Sequence, residues 1–275
     1  MNEPVVSVIL PTYNRASLLG RAIQSVLDQA YQNWELVIID DASTDGTKEV
    51  LGVWQKKDER IRVIRNPKNQ YPDISKILND GMKAAKGKYI ARLDDDDYWN
   101  DSRKLDRQVD FLDSHPDYVI VGSGMILIDE HNTELYRYLK KEKDDEIRRN
   151  ALVANPFSHT TVMFRREIAL ALGGYGGSRY VEDWGLWLRL GKAGKMYNFP
   201  EYFTSYLVAG QNKSLLHQRA SARAILGIIW HHRRDYPRFW FGIGLNLFQY
   251  FYSFLPDFLR KRLHGTLSFW KRRSF

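Results

Sequence analysis

Four consecutive aspartates, Asp94, Asp95, Asp96 and Asp97, directly follow an apolar run at 89–93. Adjacent negative charges repel one another, and burial of an unpaired carboxylate is costly in free energy. A divalent cation would offset both costs, and carboxylate oxygens suit the hard cations magnesium, manganese and calcium. A solvated acidic turn is the alternative interpretation. The position of the aspartates at the end of an apolar run favours a metal site.

Two further polar clusters also follow apolar runs. One lies at 12–14, after the first apolar run of the chain, and the other is Asp40 with Asp41, after the second. If these runs are parallel strands, ligands are expected to bind beyond their carboxyl ends, where the three clusters would converge. Asp40 and Asp41 could instead cap the loop before the next helix. Tyr13 could be an ordinary aromatic residue at a strand end.

The elements that must position these clusters alternate along the first hundred residues. Runs of strand length lie at 5–10, 34–39, 61–64 and 89–93, with helical patterns between them at 18–27, 50–54 and 75–85. This alternation predicts an α/β fold with a mostly parallel sheet flanked by helices. The second half is less regular. Strands are predicted at 119–122, 125–128 and 160–164, and a helix at 182–190 has acids in its first turn.

The bulk composition narrows the class of protein. The chain has 275 residues, of which 44% are hydrophobic, which fits one large domain or a domain with an appendage. It contains no cysteine, so disulfides and thiolate metal sites are excluded and a reducing cytoplasm is expected. Its first residues lack the basic and then apolar pattern of a signal peptide.

Four segments together resemble the family 2 glycosyltransferases, whose fold is the Rossmann-like GT-A type. They are residues 6–15, 38–47, 87–97 and 182–190, and they follow the family's order. The resemblance implies a hexosyltransferase-type enzyme. It would move a sugar from a nucleotide diphosphate sugar, expected to be a UDP-sugar, to an acceptor hydroxyl with inversion at the anomeric carbon.

The resemblance also implies roles for individual residues. Asp94 and Asp96 match the metal motif, with Asp96 the more direct ligand of Mn²⁺ or Mg²⁺, and the metal would stabilise the leaving diphosphate. Asp183 matches the base that takes the acceptor proton. Contact with the nucleotide sugar is implied for Pro11, Thr12, Tyr13, Asn14, Asp40, Asp41, Asp94 and Asp95.

Three residues are candidates for the acceptor side: His159, Glu182 and Trp184. Each has a structural alternative, since they could be a hydrogen-bonded histidine, a first-turn helix acid and a core tryptophan. The chain also departs from the family. Leu78 stands where an arginine is common, so Lys76, Arg15 or the 205–220 loop, which includes His217, would have to contact the diphosphate. The Gln-x-x-Arg-Trp motif of processive synthases is missing, which favours single addition.

The last part of the chain differs from the rest. Nine basic and two acidic residues lie in 231–275, so most of the net charge of +8 is there. The segment 239–256 is uncharged and rich in aromatic residues, but its 18 residues fall short of the ~20 that span a bilayer. Its polar residues form one narrow stripe (Gly242, Asn246, Gln249 and Ser253). This pattern predicts an interfacial helix flanked by basic clusters, each basic residue contributing about 1 kcal/mol on anionic lipid.

These observations predict a GT-A domain at 1–220, with a nucleotide-sugar half at 1–100 and an acceptor half at 101–220, and a helical membrane-associating extension at 221–275. The expected location is cytoplasmic, peripheral at the inner face of the cell membrane. The expected acceptor is a glycan or lipid-linked glycan in cell-surface polysaccharide biosynthesis. Nucleic acid is not expected as a partner, since the uncharged aromatic block suits lipid better. A helix packed on the domain or on a partner subunit is the alternative for the extension.

Two other functions compete with glycosyl transfer. A metal-dependent nucleotidyltransferase would have a glycine-rich, basic loop after the first strand, and residues 11–14 are not such a loop. A non-catalytic nucleotide-sugar binding protein would not need the full set of Asp94, Asp96 and Asp183.

Overall fold

The computed structural model describes residues 4–176, 181–208, 218–252 and 254. The strands are β1 Val6–Thr12, β2 Trp34–Asp40, β3 Ile61–Arg65, β4 Tyr89–Arg92, β5 Tyr98–Trp99, β6 Tyr118–Ile128, β7 Glu134–Tyr138, β8 Met163–Arg165 and β9 Lys195–Leu207. The helices are α1 Leu19–Leu27, α2 Thr47–Lys57, α3 Ile74–Ala84, α4 Lys104–Ser114, α5 Asp144–Asn150, α6 Arg166–Ala171, α7 Glu182–Ala193, α8 Gln218–His231 and α9 Phe239–Tyr252, with a 3₁₀ turn at His159–Thr161.

One sheet runs through the protein in the order β3-β2-β1-β4-β8-β6-β9-β5, and β7 pairs with β6. The first four strands in this order are parallel, whereas β8 is antiparallel to both of its neighbours. The predicted α/β class, with helices against the sheet, is confirmed. The parallel part is the half that carries the three polar clusters.

Two hydrophobic clusters cover the two faces of the sheet. Ile9 and Val37 belong to one cluster, and their neighbours Val8 and Leu36 belong to the other. Successive side chains of a strand point to opposite faces, so a strand buried on both sides reads as a continuous apolar run. This is why the first four strands could be located from the sequence.

The second half departs from the predictions. The strands predicted at 119–122 and 125–128 are one strand, β6, because Ser123 and Gly124 stay extended and pair with β9 through a register shift. The strand predicted at 160–164 begins later, at Met163, after the 3₁₀ turn. The sequence did not reveal β9, whose 13 residues alternate irregularly between buried and exposed.

The extension shares the core of the domain. Ile229 of α8 and Tyr236 belong to the same buried cluster as Trp187 of α7. Tyr236 donates its hydroxyl hydrogen to the Leu188 carbonyl at 2.7 Å. Over the ranges that the structure describes, no helix is both long and apolar enough to span a bilayer. The basic residues between 260 and 273 lie outside those ranges.

Candidate functional site

The three polar clusters lie at one edge of the sheet. Strand β1 sits between β2 and β4 and is parallel to both, so the three carboxyl ends are neighbours. The Asp41 amide donates to the Thr12 carbonyl at 2.9 Å, and Arg15 Nε lies 3.7 Å from Asp95 Oδ1. The convergence predicted from the sequence is therefore confirmed.

Asn14 fixes the loop after β1 to the loop after β2. Its backbone has φ 53°, a left-handed conformation that asparagine tolerates better than most residues. The backbone amide of Asn14 donates to Ser43 Oγ at 3.0 Å, and its side-chain Oδ1 accepts from the Thr44 backbone amide at 2.8 Å. Tyr13 beside it is 40% exposed, so its ring is open to stacking, whereas Thr12 is buried.

The two aspartates after β2 have different surroundings. Asp40 is buried, accepts from the Ser43 amide at 2.9 Å and forms an ion pair with Arg65, contacts that match the loop-capping alternative. Asp41 accepts from Asn66 Nδ2 at 2.7 Å and from the Gln70 amide at 2.9 Å. A carboxylate has about four acceptor sites, so Asp41 retains capacity for a ligand.

The four aspartates after β4 divide into two kinds. Those at the ends of the run are tied to the protein. Asp94 pairs with the buried Arg92 at 2.6 Å, and Asp97 accepts from the Leu207 amide of β9 at 3.1 Å. The middle pair is held by fewer contacts. Burial and then the charge of Asp96 raise the pKa of Asp95 to about 7, and burial and then Asp94 raise the pKa of Asp96.

These carboxylates suit a cation in type but do not enclose one. Among the described residues, no three or more acidic, histidine or cysteine side chains are arranged to hold a metal ion. Mg²⁺ is usually held by one or two carboxylates, with substrate phosphates completing the ligand set. The partly buried oxygens of Asp94 and Asp96 fit that mode, in which the donor supplies the remaining ligands.

The candidate base lies at the start of α7. Asp183 Oδ1 accepts from the Trp184 amide at 2.7 Å, and its Oδ2 accepts from Asn155 Nδ2 at 2.8 Å. Burial raises the pKa of Asp183, and the bond from Asn155 opposes that rise. Burial and then the charge of Asp183 raise the pKa of Glu182 to about 8. Near neutral pH, therefore, Glu182 keeps its proton, whereas the hydrogen bonds from Asn155 and the Trp184 amide favour the ionised form of Asp183.

Arg92 lies between the aspartates after β4 and the acidic residues at the start of α7. The charge of Asp94 contributes to the raised pKa of Glu182, so the strand end and the start of α7 are electrostatically coupled. Arg92 donates from Nε to His159 Nε2 at 3.0 Å, and that nitrogen also lies 2.9 Å from the Tyr175 hydroxyl. Arg92 thus contacts both the metal motif and the segment beside α7.

Two of the acceptor candidates, His159 and Trp184, have the surroundings of structural residues. His159 Nε2 accepts from Arg92, and burial and the arginine charge hold the pKa of His159 well below its usual value. Trp184 is 3% exposed and donates from Nε1 to the Ala151 carbonyl at 2.9 Å. Both environments match the structural alternatives rather than acceptor contacts, because His159 Nε2 and Trp184 Nε1 both bond within the protein.

For the diphosphate, the structure favours Arg15 among the described alternatives. Lys76 is 2.8 Å from Asp80 on an exposed turn of α3, whereas Arg15 lies beside Asp95 at the strand ends. Leu78 is fully buried in the core. His217 and its neighbours at 209–217 lie outside the described residues.

Sequence reasoning missed Asn155 and Arg92 as members of the site. Asn155 is 28 positions from Asp183, and nothing in the sequence links the two. Arg92 did carry a signal, since a charged residue inside a buried apolar strand requires a partner. Its partners are Asp94 and the carbonyl oxygens of Ile9 and Leu93.

The family model for glycosyl transferase family 2 matches residues 7–173, which is more than half of the chain. The chain belongs to this family. Two relatives from Bacillus subtilis (strain 168) cover most of it. The putative glycosyltransferase EpsE is 38% identical over 72% of this chain and 71% of its own length. The putative teichuronic acid biosynthesis glycosyltransferase TuaG is 31% identical over 83% of this chain and 84% of its own length.

Solved structures support the GT-A fold of this family 2 member. The mannosyltransferase PcManGT from Pyrobaculum calidifontis, in complex with GDP-Man and Mn²⁺, has a TM-score of 0.67 at 21% identity and covers 91% of this chain and 70% of its own. S. aureus TarS 1-349 in complex with UDP-GlcNAc has a TM-score of 0.66 at 19% identity, and the match covers 82% of this chain and 66% of its own. At these identities the likeness shows the fold alone.

Proposed function

We propose that this glycosyltransferase moves a sugar from a nucleotide diphosphate sugar to an acceptor hydroxyl with inversion, and that Asp183 is the catalytic base. The observation that carries the proposal is the environment of Asp183. It is buried, held by Asn155 at 2.8 Å, and adjacent to a carboxyl group whose pKa is raised to about 8. Such a pair keeps one group ionised as a base while the other remains protonated.

The donor would bind across the ends of β1, β2 and β4. The exposed ring of Tyr13 can stack on a base, and Asp41 can accept from the edge of that base. Arg15 supplies positive charge beside the aspartate run, where a diphosphate would lie. A UDP-sugar is our expected donor, and the ring of Tyr13 can stack on its pyrimidine.

Asp96 and Asp94 would hold Mn²⁺ or Mg²⁺ together with oxygens of the donor diphosphate. When bound, the cation neutralises the charge that develops on the leaving diphosphate. Arg92 positions Asp94 through an ion pair, and Arg15 contacts the intervening Asp95. The Mn²⁺ in the PcManGT complex supports this choice of metal.

In the transfer step, Asp183 removes the proton of the acceptor hydroxyl as its oxygen attacks the anomeric carbon. The bond from that carbon to the diphosphate breaks on the opposite face, which gives inversion. The base belongs to α7 and the aspartates belong to the end of β4, so base and leaving group are carried by different elements. Protonated Glu182 can donate a hydrogen bond to the acceptor.

The acceptor would be a growing glycan, presented on a lipid carrier at the cytoplasmic face of the cell membrane, in cell-surface polysaccharide biosynthesis. TuaG, named for teichuronic acid biosynthesis, supports the polysaccharide assignment.

A donor screen tests the proposal. Purified protein is incubated with UDP-, GDP- and dTDP-sugars and Mn²⁺ or Mg²⁺, and nucleotide diphosphate release is measured with and without a chelator. We expect metal-dependent release from one nucleotide class. Conversion of a nucleotide sugar and added pyrophosphate into nucleoside triphosphate and sugar 1-phosphate would identify nucleotidyl transfer instead. Donor binding without any turnover, when a lipid-linked glycan extract is supplied as acceptor, would identify a binding protein. Either result would overturn the proposal.

A further inference from the structure

Helix α9 packs on the body of the protein through Gly242 and Asn246, with the partly buried Phe239 and Ile243 beside them. Gly242 and Asn246 are its buried members. A Cβ at Gly242 would lie 2.4 Å from the Leu152 carbonyl oxygen, and Asn246 Nδ2 lies 3.4 Å from the Val153 carbonyl oxygen. Gly242 and Asn246 belong to the stripe that predicted an interfacial helix. They therefore lie on the side of α9 that contacts the protein.

The opposite side of α9 exposes large apolar side chains to solvent. Trp240 is 79% exposed, Phe248 52% and Phe251 65%, and Leu247 lies beside them. Their spacing of three, four and seven residues puts them on one side of a helix. A helix on a protein in water normally has the reverse arrangement, with its apolar stripe toward the core.

Helix α8 extends this surface. Trp230 of α8 is 57% exposed. The ring centroids of Trp230 and Phe239 are 5.8 Å apart, and those of Phe239 and Trp240 are 4.9 Å apart. We call Trp230, Trp240, Leu247, Phe248 and Phe251 the aromatic face. Exposed apolar patches of this kind mark sites of interaction with a partner or a membrane.

Arginines border the aromatic face and contact its neighbouring rings. The guanidinium of Arg233 lies 4.9 Å from the Trp230 ring centroid, and Arg219 lies 4.4 Å from that of Phe254. Arg223 Nη2 lies 3.4 Å from the Tyr250 hydroxyl. Neither α8 nor α9 contains an acidic residue. The margin of the aromatic face is therefore cationic.

We propose that the aromatic face docks on an anionic membrane surface, with its rings among the lipid acyl chains and its arginines at the headgroups. Tryptophan, tyrosine and arginine are the residues that favour this boundary. The face suits lipid better than a second copy of the chain, because a two-fold pairing would bring two cationic margins together. Anionic lipid instead supplies the complementary charge.

The same segment that supports α9 also holds the candidate base. Arg238 donates to Asn150 Oδ1 at 2.7 Å, Trp184 donates to the Ala151 carbonyl at 2.9 Å, and Asn155 donates to Asp183. Residues 150–155 thus connect the docking face to the base through direct contacts. If the proposed function is right, a lipid-carried acceptor would reach Asp183 from the membrane side.

Vesicle co-sedimentation of the full chain tests the docking face. Wild-type protein is compared on phosphatidylcholine vesicles and on vesicles that also contain phosphatidylglycerol. We expect clear binding to the anionic vesicles, and binding weakened by about tenfold or more in Trp240→Ser/Phe251→Ser, because each ring buries apolar area in the lipid. Arg223→Gln/Arg233→Gln should weaken binding to the anionic vesicles only. Val53→Ser, at an exposed position of α2, is the matched control and should bind as wild type.

Thermal unfolding of each variant checks that folding is intact, which is expected because Trp240, Phe251 and Arg223 are exposed and Arg233 is only partly buried. Equal binding by wild type and Trp240→Ser/Phe251→Ser would overturn the proposal. So would a dimer that this double variant dissociates, because the face would then belong to a second copy. Asp183→Asn should bind vesicles as wild type does, so a failure of docking and a failure of the transferase assignment give different results.

Discussion

Both carboxylate oxygens of Asp183 accept hydrogen bonds, at 2.7 and 2.8 Å, and one of the donors is the side chain of Asn155. The bond from Asn155 stabilises the ionised form, against a pKa that burial raises. In the proposed mechanism, Asn155 therefore acts as a positioning residue that favours the ionised form of Asp183, which is the form that a base requires.

Asn155→Ala should move the acidic limb of the pH profile of kcat to higher pH. Without the hydrogen bond the pKa of Asp183 rises further, so a smaller fraction of Asp183 is ionised at low pH. The loss of kcat relative to wild type therefore becomes smaller as the pH increases. The measurement is kcat from pH 5 to 9, with Asn33→Ala at an exposed site as the control. A loss that is equal at every pH would show that Asn155 is only structural.

Asp96 is the aspartate that we expect to bind the metal most directly. Asp96→Asn keeps the shape of the side chain but removes its charge, so Mn²⁺ affinity should fall by roughly tenfold or more, the equivalent of about 1.4 kcal/mol. Titration calorimetry with UDP present measures this change. Asp110→Asn, on the exposed side of α4, should bind Mn²⁺ as wild type does. Unchanged affinity in Asp96→Asn would contradict the metal assignment.

Among individual residues, the sequence could reveal those that stand in runs. The aspartates after β4 and the pair at 40–41 are visible because clustered charge after an apolar run is unusual. It could not reveal that Asn155 holds Asp183, because these two positions are 28 residues apart in the chain. Nor could it separate Asp40, paired with Arg65, from Asp41.

At the level of elements, a tight turn before β4 determines where the aspartates emerge. Gly87 donates its amide hydrogen to Ser7 Oγ at 2.8 Å, and a Cβ there would lie 2.6 Å from the Ser7 amide nitrogen. Glu35 completes this contact by accepting from Ser7 Oγ at 2.7 Å. Strands β1, β2 and β4 are thus joined at the end opposite the site.

Gly87→Ala should lower the free energy of unfolding by about 1–3 kcal/mol, because backbone atoms must shift to admit the methyl group. Gly52→Ala is the matched control. It lies inside α2 with open space around its Cβ, and alanine should stabilise the helix by about 0.5–1 kcal/mol. Urea unfolding of both variants measures the difference. Full stability in Gly87→Ala would contradict the close packing of this turn.

The strands of the parallel half were predictable because burial on both faces makes them continuous apolar runs. Strand β9 was not, because its partners are β6 on one side and the two-residue β5 on the other, so its side chains alternate between core and solvent without a regular period. The Gly-Ser-Gly stretch of β6 resembled a turn, yet pairing with β9 keeps it extended.

For the whole molecule, charge and hydrophobicity are distributed unevenly. Most of the net charge of +8 lies after residue 230, and the same region exposes aromatic side chains through α8 and α9. Of the alternatives that the sequence left open for this region, the structure shows packing on the domain, and docking on a membrane stays a proposal. Helix α9 packs on the domain through Gly242 and Asn246, and it leaves an apolar side outward.

Asp183 is the proposed base of the glycosyl transfer. The most direct test measures kcat for transfer and the Kd of the donor with Mn²⁺ in wild type and Asp183→Asn. We predict that kcat falls by roughly 10²–10⁴-fold while the donor Kd is unchanged, since the amide has nearly the same size and shape as the carboxylate but cannot take a proton. Full transfer by Asp183→Asn would contradict the account.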